Sequence, residues 1–157
     1  MNKFEKISLK QWKEDTGLTE EDLKELTVPT RKTAKSCGYD FHMPYTTTIK
    51  GKETKIIFSG IKVQLDSDKR LSIYPRSSVG IKKGLMLTNT VALIDADYYN
   101  NKDNEGHILI ALTNTRDTSV VLNKGDRFVQ GVIDKFYTVD SDNATGVRTS
   151  GIGSTGK

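Results

Sequence analysis

The sequence has little of what several common protein classes require. It contains one cysteine, Cys37, among 157 residues, which excludes an internal disulfide framework and a cysteine-rich zinc site. Its two histidines, His42 and His107, stand far apart without the spacing of metal ligands. No apolar stretch reaches the ~18 residues of a membrane span, and the N-terminus shows no signal-peptide pattern. These features predict a single-domain cytoplasmic protein that does not interact with membranes.

The sequence also lacks long runs of residues with charge of one sign. The 24 basic residues exceed the 20 acidic ones by a net charge of +4, but the two signs alternate along the whole chain. A nucleic-acid-binding protein usually gathers its basic residues in a patch or stripe. The charge pattern therefore predicts weak attraction for anions in general and no nucleic-acid partner.

Residues 1–27 are predicted to form a short N-terminal helical extension. Leu9, Trp12 and Lys13 fit one helical face, and Thr19 is a candidate N-cap for a second short helix with acidic residues in its first turn. Leu18 and Leu23 are placed to form a hydrophobic staple around that cap. Nothing in this segment indicates a function.

Residues 28–140 are predicted to form an all-β domain, a sandwich or barrel. Apolar residues there recur with a period of two, which is typical of strands, and turn residues separate the runs without intervening helices. The clearest strand candidates are Ile56–Phe58, Ile61–Leu65, Leu71–Ile73, Ile108–Leu112 and Phe128–Val132, with turns at Gly51, Gly60, 66–68 and Gly125.

Residues 141–157 form a polar, glycine-rich C-terminal arm that is predicted to be flexible until a ligand binds. Its end, GIGSTGK, fits the first seven positions of a P-loop. The chain as given supplies neither the following Ser/Thr that binds magnesium nor a helix after it. The pattern therefore does not predict a P-loop nucleotidase, but it is consistent with an arm that closes over a phosphate chain.

The stretch NTVALIDADYY at residues 89–99 combines features that rarely occur together. The apolar run from Val91 to Ile94 has the composition of a buried strand, and Asp95 and Asp97 follow it directly. An aspartate at the end of a strand is usually a turn former, and less often a carboxylate held for chemistry. Taken alone, this stretch favours the turn, and we interpret Asp97 as such a residue.

Five stretches, in order, resemble the five motifs of the trimeric, all-β dUTP pyrophosphatase family. They are SCGYDF at 36–41, YPRSSVGIKKG at 74–84, NTVALIDADYY at 89–99, GDRFVQGVI at 125–133 and RTSGIGSTGK at 148–157. The resemblance covers about residues 30–157. It implies a jelly-roll-like β-barrel that assembles as a homotrimer with shared active sites, and hydrolysis of dUTP to dUMP and pyrophosphate with Mg²⁺.

The resemblance also implies roles for the residues that recognise and attack the nucleotide. Asp95 corresponds to the catalytic aspartate, whose carboxylate orients a water and accepts its proton. Asn89 corresponds to the family's asparagine near uracil and the water, and the strand between them offers backbone groups to the pyrimidine edge. Tyr98 corresponds to the tyrosine beneath the deoxyribose, where its ring occupies the space of a ribose 2′-hydroxyl.

Other residues match the family's phosphate and metal sites. Arg76, Ser77 and Ser78 correspond to the Pro-Arg-Ser segment that binds phosphate oxygens. Asp40 and Gln130 resemble the pair that holds Mg²⁺ through water, and Gln130 is also expected at the substrate. Arg127 is expected to order its own loop.

The arm matches the family's closing motif, with one departure. Arg148, Gly153 and Ser154 are expected to bind the substrate, whereas Ile152 occupies the position of the aromatic residue that stacks on uracil, which weakens stacking by about 1 kcal/mol. A second departure is an insertion after Tyr99, in the sequence YYNNKDNEG, which we expect to lengthen a loop away from the chemistry.

Two alternatives remain open from the sequence. A dCTP deaminase of the same superfamily would release ammonia rather than pyrophosphate, but it needs a proton-shuttling group at the cytosine for which Asp95 is the only candidate. A regulatory protein would instead use nucleotide-driven closure of the arm to bind a protein partner, which would be captured only with dUTP.

Overall fold

The computed structural model describes residues 1–148, 150 and 151. Within them, eleven strands carry most of the regular structure, together with two α-helices and two short helical turns at Ser78–Lys82 (π) and Ala96–Tyr98 (3₁₀). The order is β1 Lys3–Lys6, α1 Leu9–Thr16, α2 Glu20–Glu25, β2 Tyr39–His42, β3 Thr47–Ile49, β4 Thr54–Phe58, β5 Ile61–Gln64, β6 Lys69–Pro75, β7 Leu85–Leu87, β8 Ala92–Asp95, β9 Leu109–Asn114, β10 Val120–Leu122 and β11 Arg127–Lys135.

The strands pair antiparallel throughout the described chain. The largest sheet has the order β2-β11-β6-β8, a second has the order β4-β9-β7, and β1-β5 and β10-β3 form two-stranded sheets. Strands that are neighbours in a sheet are mostly distant in sequence, as in jelly rolls. The predicted all-β, jelly-roll-like fold and its predicted strands are confirmed.

The two helices near the N-terminus are defined by their caps. Ser8 accepts a hydrogen bond from Gln11 N–H at the start of α1, and Gly17 ends this helix in the left-handed conformation. Thr19 caps α2 as predicted, and its partner in a reciprocal capping box is Asp22. Neither described helix is long and apolar enough to cross a membrane.

The prediction of helix for the first residues of the chain is wrong. Lys3–Lys6 is a strand, β1, and it pairs antiparallel with β5 from Lys3 opposite Gln64 to Lys6 opposite Ile61. Its partner lies about sixty residues away, so no local pattern of the sequence reports it. β1 thereby joins the N-terminal segment to the strands.

The helices also share the core of the strand domain. Trp12 is completely buried, and its indole N–H donates to the Thr19 carbonyl at 3.0 Å. Gly60, at the turn into β5, has a φ of +73°, and a Cβ there would overlap Leu26 and approach Trp12. The turn thus needs glycine both for its conformation and for the close approach of the helical segment.

A buried histidine forms another link between the helices and the strands. Gly60 N–H donates to His107 Nε2 at 2.8 Å, so the neutral ring carries its proton on Nδ1 and donates it to Asp15 at 2.6 Å. Burial lowers the pKa of His107 from 6.5, against the opposing effect of Asp15 and Glu105, which raise it. His107 is therefore a structural residue rather than a catalytic one.

We expect this histidine to make the fold sensitive to mild acid. As the pH falls through 6.5, the unfolded chain takes up a proton on this ring before the folded chain does, so the free energy of unfolding decreases. Urea unfolding at about pH 7.5 and about pH 5.5 measures this loss. His107→Asn should show a smaller loss than the wild type, and an equal loss in both would contradict this role.

Candidate active site

Asp95 lies at the exposed end of an edge strand. It is the last residue of β8, which pairs with β6 on one side in the described sheet, and the 3₁₀ turn Ala96–Tyr98 follows it. The interpretation of Val91–Ile94 as a buried strand holds for Ala92 but not for Leu93, which is 54% exposed in the single chain. Part of β8 is therefore exposed to solvent in the single chain, although most of its residues are apolar.

Arg148 of the arm binds both aspartates of this turn. Its Nη2 donates to Asp95 Oδ2 and its Nε to Asp97 Oδ1, each at 2.8 Å. The guanidinium side chain is only 12% exposed, so it is largely enclosed by its partners. Asp97 lies in the turn as expected, but no pattern in the sequence indicates this ion pair.

Tyr98 is held by two hydrogen bonds behind Asp95. Its hydroxyl donates to the His107 carbonyl at 3.0 Å and accepts from the Asn104 side-chain amide at 2.8 Å. Burial raises the pKa of Tyr98, so the phenol stays protonated. The Arg148 guanidinium carbon lies 5.8 Å from the ring centroid, which is within the range of a cation–π contact.

These residues share a cavity of about 230 Å³ along β8. The residues that line it include Asn89, Asp95, Tyr98 and Arg148, together with apolar side chains of the strand. Asn89 is exposed in the turn between β7 and β8, and the next residue, Thr90, has a φ of +64°. A β-branched residue in that region is strained. Four predicted site residues therefore meet in one cavity.

The predicted phosphate ligands line a second, basic cavity of about 510 Å³. Arg76 and Ser78 are among its residues, and Ser77 is exposed just before the π-helical turn. Four other basic side chains line the same cavity, and the sequence analysis assigned none of them to a phosphate site: Lys32, His42, Lys83 and Arg127. Burial lowers the pKa of His42, and the positive charge of Lys32 lowers it further. The excess positive charge suits a polyphosphate.

Asp40, predicted to hold magnesium through water, forms two ion pairs. Its Oδ1 pairs with Arg76 at 3.1 Å and its Oδ2 with Arg127 at 2.9 Å, so two guanidinium groups neutralise this carboxylate. Arg127 thus orders this region, as expected. Residues 1–148, 150 and 151 contain no group of three or more His, Cys, Asp or Glu side chains arranged to hold a metal ion.

Gln130 lies beside Asp40, in register across the β11 and β2 pair. Its side-chain oxygen packs against Gly38, where a Cβ would collide with it. This close approach explains why residue 38 is a glycine, and it holds the Gln130 amide beside Asp40.

Replacement of Asp40 by asparagine should lower the stability of the fold and leave the affinity for Mg²⁺ unchanged. Asp40→Asn leaves two guanidinium groups without a carboxylate, and we expect the free energy of unfolding to fall by about 2 kcal/mol. The Mg²⁺ concentration for half-maximal activity should stay unchanged. Asp134→Asn, on β11 and without an ion pair in the described chain, is the matched control. A tenfold higher Mg²⁺ requirement in Asp40→Asn would restore the metal role.

The two groups of residues are separated along strand β6. The register of β6 and β8 places Asp95 opposite Arg70, near the start of β6. Arg76 follows the last residue of β6, and six residues of strand span roughly 20 Å. A single chain therefore does not bring the predicted base and the predicted phosphate ligands to one point.

The insertion after Tyr99 lies close to the site, contrary to expectation. Asn104 binds the hydroxyl of Tyr98, and Asp103 accepts a hydrogen bond from Gly151 N–H of the arm at 2.8 Å. None of the five motif stretches includes Asn104 or Asp103. The predicted ligands Ile152, Gly153 and Ser154 lie outside the described residues.

Comparison with known proteins shows which family the chain resembles. A sequence profile described as dUTPase matches residues 24–156. The deoxyuridine 5′-triphosphate nucleotidohydrolase of Lactococcus lactis subsp. lactis (strain IL1403) is 44% identical over 133 residues, covering 83% of this chain and 89% of the relative. The enzyme of the same name from Psychrobacter sp. (strain PRwf-1) is 35% identical over 132 residues, covering 79% and 82%.

A solved structure shows the same similarity in three dimensions. The crystal structure of dUTPase from Streptococcus mutans superposes with a TM-score of 0.73 at 39% sequence identity, and the match covers 88% of this chain and 98% of that one. The profile spans most of the chain and includes the first four motifs and all but the last residue of the fifth. The chain belongs to the dUTPase family.

Proposed function

We propose that the chain hydrolyses dUTP to dUMP and pyrophosphate by attack of water on the α-phosphorus. The observation that carries the proposal is the cavity in which Asn89, Asp95 and Tyr98 meet, with the exposed carboxylate of Asp95 at its wall. Membership of the dUTPase family and the names of the relatives support it. Asp95 acts as the base that orients the water and accepts its proton.

Recognition of the base and sugar belongs to the same cavity. Uracil presents an N–H between two carbonyls, and fixed backbone groups of the turn at Asn89 and of β8 match that pattern; cytosine leaves them unpaired. Two hydrogen bonds hold the ring of Tyr98 in place. The ring therefore cannot move aside to make room for the 2′-hydroxyl of a ribose. Selection of a deoxyuridine nucleotide follows.

The triphosphate is neutralised by the basic residues. Arg76 and Ser78 contribute from the second cavity, Ser77 and Gln130 contribute from beside them, and Arg148 exchanges its ion pair with Asp95 for phosphate oxygens when the nucleotide enters. That exchange frees the carboxylate for the water. Ile152, Gly153 and Ser154 complete the closed arm in this proposal.

Magnesium stays part of the proposal as an ion carried on the phosphate oxygens of the substrate, where it neutralises charge. Asp40 is not assigned to it, since both its oxygens pair with arginines. Removal of Mg²⁺ with a chelator should therefore reduce dUTP hydrolysis in wild type, Asp40→Asn and Asp134→Asn alike.

We also propose that the active form is a homotrimer. The separation of Asp95 from Arg76 along β6 supports this, because a second copy must supply the group that one chain leaves distant. Large apolar side chains that are exposed in the single chain are available for such contacts: Ile81, Met86, Leu93 and Val121. Sedimentation should give a species of three chains, and a fully active monomer would contradict the assembly.

The activity is tested by supplying each deoxynucleoside and ribonucleoside triphosphate separately with Mg²⁺ and measuring pyrophosphate and ammonia. We expect pyrophosphate from dUTP at a rate far above that from UTP, dCTP or dTTP. Ammonia from dCTP would indicate the deaminase instead.

A further inference from the structure

The insertion loop (residues 100–106) contacts the far end of the Tyr98 ring. The Asn104 side-chain amide donates a hydrogen bond to the Tyr98 hydroxyl at 2.8 Å, and this hydroxyl donates to the His107 carbonyl at 3.0 Å. Tyr98 is buried, and it is one of the residues that line the cavity along β8. A side chain of the insertion therefore binds a residue of the candidate active site.

The orientation of the Asn104 amide follows from its other contacts. Its Oδ1 accepts from Gly106 N–H at 3.1 Å and from the Asn101 side-chain amide at 2.8 Å. A backbone N–H can only donate, so the atom that faces Gly106 is the oxygen and the nitrogen faces Tyr98. The Tyr98 hydroxyl must then accept this bond and give its own proton to His107.

Asn101 holds Asn104 in place. Asn101 Oδ1 accepts from two backbone N–H groups, that of Asp103 at 3.0 Å and that of Asn104 at 3.2 Å. Its amide nitrogen donates to Asn104 Oδ1 and to the Tyr98 carbonyl, the latter at 2.9 Å. Asn101 is buried, and these bonds satisfy both polar atoms of its side chain. The insertion loop thus binds Tyr98 at its backbone and at its hydroxyl.

The backbone of the insertion loop is held in an unusual conformation. Asn100 and Glu105 have φ values of +54° and +58°, and such values persist outside glycine only where the surrounding contacts determine them. Asn100 N–H donates to the Glu105 carbonyl at 3.0 Å, and the Glu105 carboxylate accepts from Ser8 N–H at 3.0 Å. The loop is therefore a fixed support for Asn104.

A support at the hydroxyl matters because the backbone holds only one end of a tyrosine side chain. The ring can turn about the two bonds that join it to Cα, and contacts at the hydroxyl limit this motion at the other end. In the proposed function, the ring of Tyr98 excludes the 2′-hydroxyl of a ribose. Exclusion of that group depends on where the ring is held.

We propose that Asn104 is a positioning residue for sugar selection, which holds the Tyr98 ring in the space that a ribose 2′-hydroxyl would need. The proposal rests on the proposed function, which assigns Tyr98 to the sugar of the nucleotide. Asn104 acts through the Tyr98 hydroxyl, and Asn101 sets the orientation of Asn104. The insertion after Tyr99 thereby contributes to the choice of deoxyribonucleotides over ribonucleotides.

Removal of the Asn104 amide tests this role through the preference for dUTP over UTP. Asn104→Ala should lower the ratio of kcat/KM for dUTP to that for UTP by up to about tenfold, because one hydrogen bond that holds the ring is lost. A role confined to stability would lower both values together and leave the ratio unchanged. Lys102→Ala, at an exposed position of the same loop, is the matched control and should keep the wild-type ratio. A ratio in Asn104→Ala within about twofold of wild type would overturn the proposal.

Replacement of the tyrosine tests the same hydrogen bond from its other side. Tyr98→Phe keeps the ring, removes the hydroxyl and leaves the other partners of Asn104 in place. It should lower the ratio at least as far as Asn104→Ala does, because both bonds of the hydroxyl are lost. A wild-type ratio in Tyr98→Phe would overturn the proposal even if Asn104→Ala does not fold.

The double variant shows whether Asn104 acts through Tyr98. In Tyr98→Phe the partner of the Asn104 amide is already absent, so adding Asn104→Ala should not lower the ratio further. A further fall of the same size as in the single variant would mean that Asn104 acts by another route, and it would overturn the proposal.

Binding without turnover gives a readout that does not depend on the rate of hydrolysis. Asp95→Asn is expected to bind nucleotide but to hydrolyse it slowly, so titration of this variant with dUTP and with UTP gives two dissociation constants. Adding Asn104→Ala should bring these two constants closer together by the same factor as the ratio of kcat/KM. An unchanged difference between them would overturn the proposal.

The wild type measured in parallel distinguishes this inference from the proposed function. A wild type that does not hydrolyse dUTP, or that hydrolyses dUTP and UTP equally well, overturns the proposed function. A wild type that prefers dUTP, together with an Asn104→Ala variant that keeps the full preference, overturns only the inference about Asn104.

Discussion

Asparagine in place of Asp95 should lower the turnover of dUTP at least ~100-fold while nucleotide binding is largely kept. The side chain keeps its shape but loses the group that accepts the proton of water. Asp95 is exposed at the end of β8 and its described side-chain partner is Arg148, so the fold does not depend on its charge. Initial rates of pyrophosphate release and titration of the variant with dUTP measure the two effects.

Asp97→Asn is the matched control for this change. Asp97 stands two residues away and binds the same guanidinium at the same distance, so both variants weaken the docking of Arg148. The control should lose far less activity than Asp95→Asn, because Asp97 is not the base. Near-normal turnover in Asp95→Asn, or equal losses in both variants, would make Asp95 a turn residue.

Deletion of residues 147–157 should lower turnover about 100-fold and leave the fold intact, because the arm fixes the phosphate chain for attack and excludes water. Val147 is 86% exposed, and the described contacts of the arm are with surface turns rather than with the core. The melting temperature and the sedimentation coefficient should barely change. Full activity in the truncated protein would show that the arm is not a lid.

The point variant Arg148→Gln separates the guanidinium from the rest of the arm. It keeps the backbone contact between Gly151 and Asp103 but removes the charge that binds phosphate. We expect a loss of activity smaller than that of the deletion, which removes both.

Local chemistry accounts for what the sequence predicted well. The capping box at Thr19 uses atoms three residues apart, so its pattern is visible in the chain. The same is true of the strands with a period of two, since alternation follows from the pleat. The order of the five motifs identified the family because each motif is short and continuous.

Contacts between distant residues account for what was missed. Strand β1 depends on its pairing with β5, and the role of His107 depends on Asp15, ninety-two residues away. The ion pairs of Asp40 are another example, because Arg76 reaches it from just after the end of β6 and Arg127 from β11. Pairing of this kind appears only when the strands are assembled.

The loop at residues 100–106, which contains the insertion after Tyr99, is a further case in which contacts could not be predicted from the sequence. An insertion after Tyr99 predicts a longer loop away from the chemistry. Burial of Asn101 under Tyr98 turns the loop back toward the cavity, and this brings Asp103 to the arm. The composition of the loop does not predict this change of direction.

In the proposed reaction water attacks the α-phosphorus of dUTP, and the position of the new bond can be measured. Hydrolysis of dUTP in ¹⁸O-water, followed by mass spectrometry of both products, shows which phosphorus the water attacked. We expect one ¹⁸O atom in dUMP and none in pyrophosphate. Label in pyrophosphate, or dUTP left intact under conditions in which the protein is folded and assembled, would contradict it.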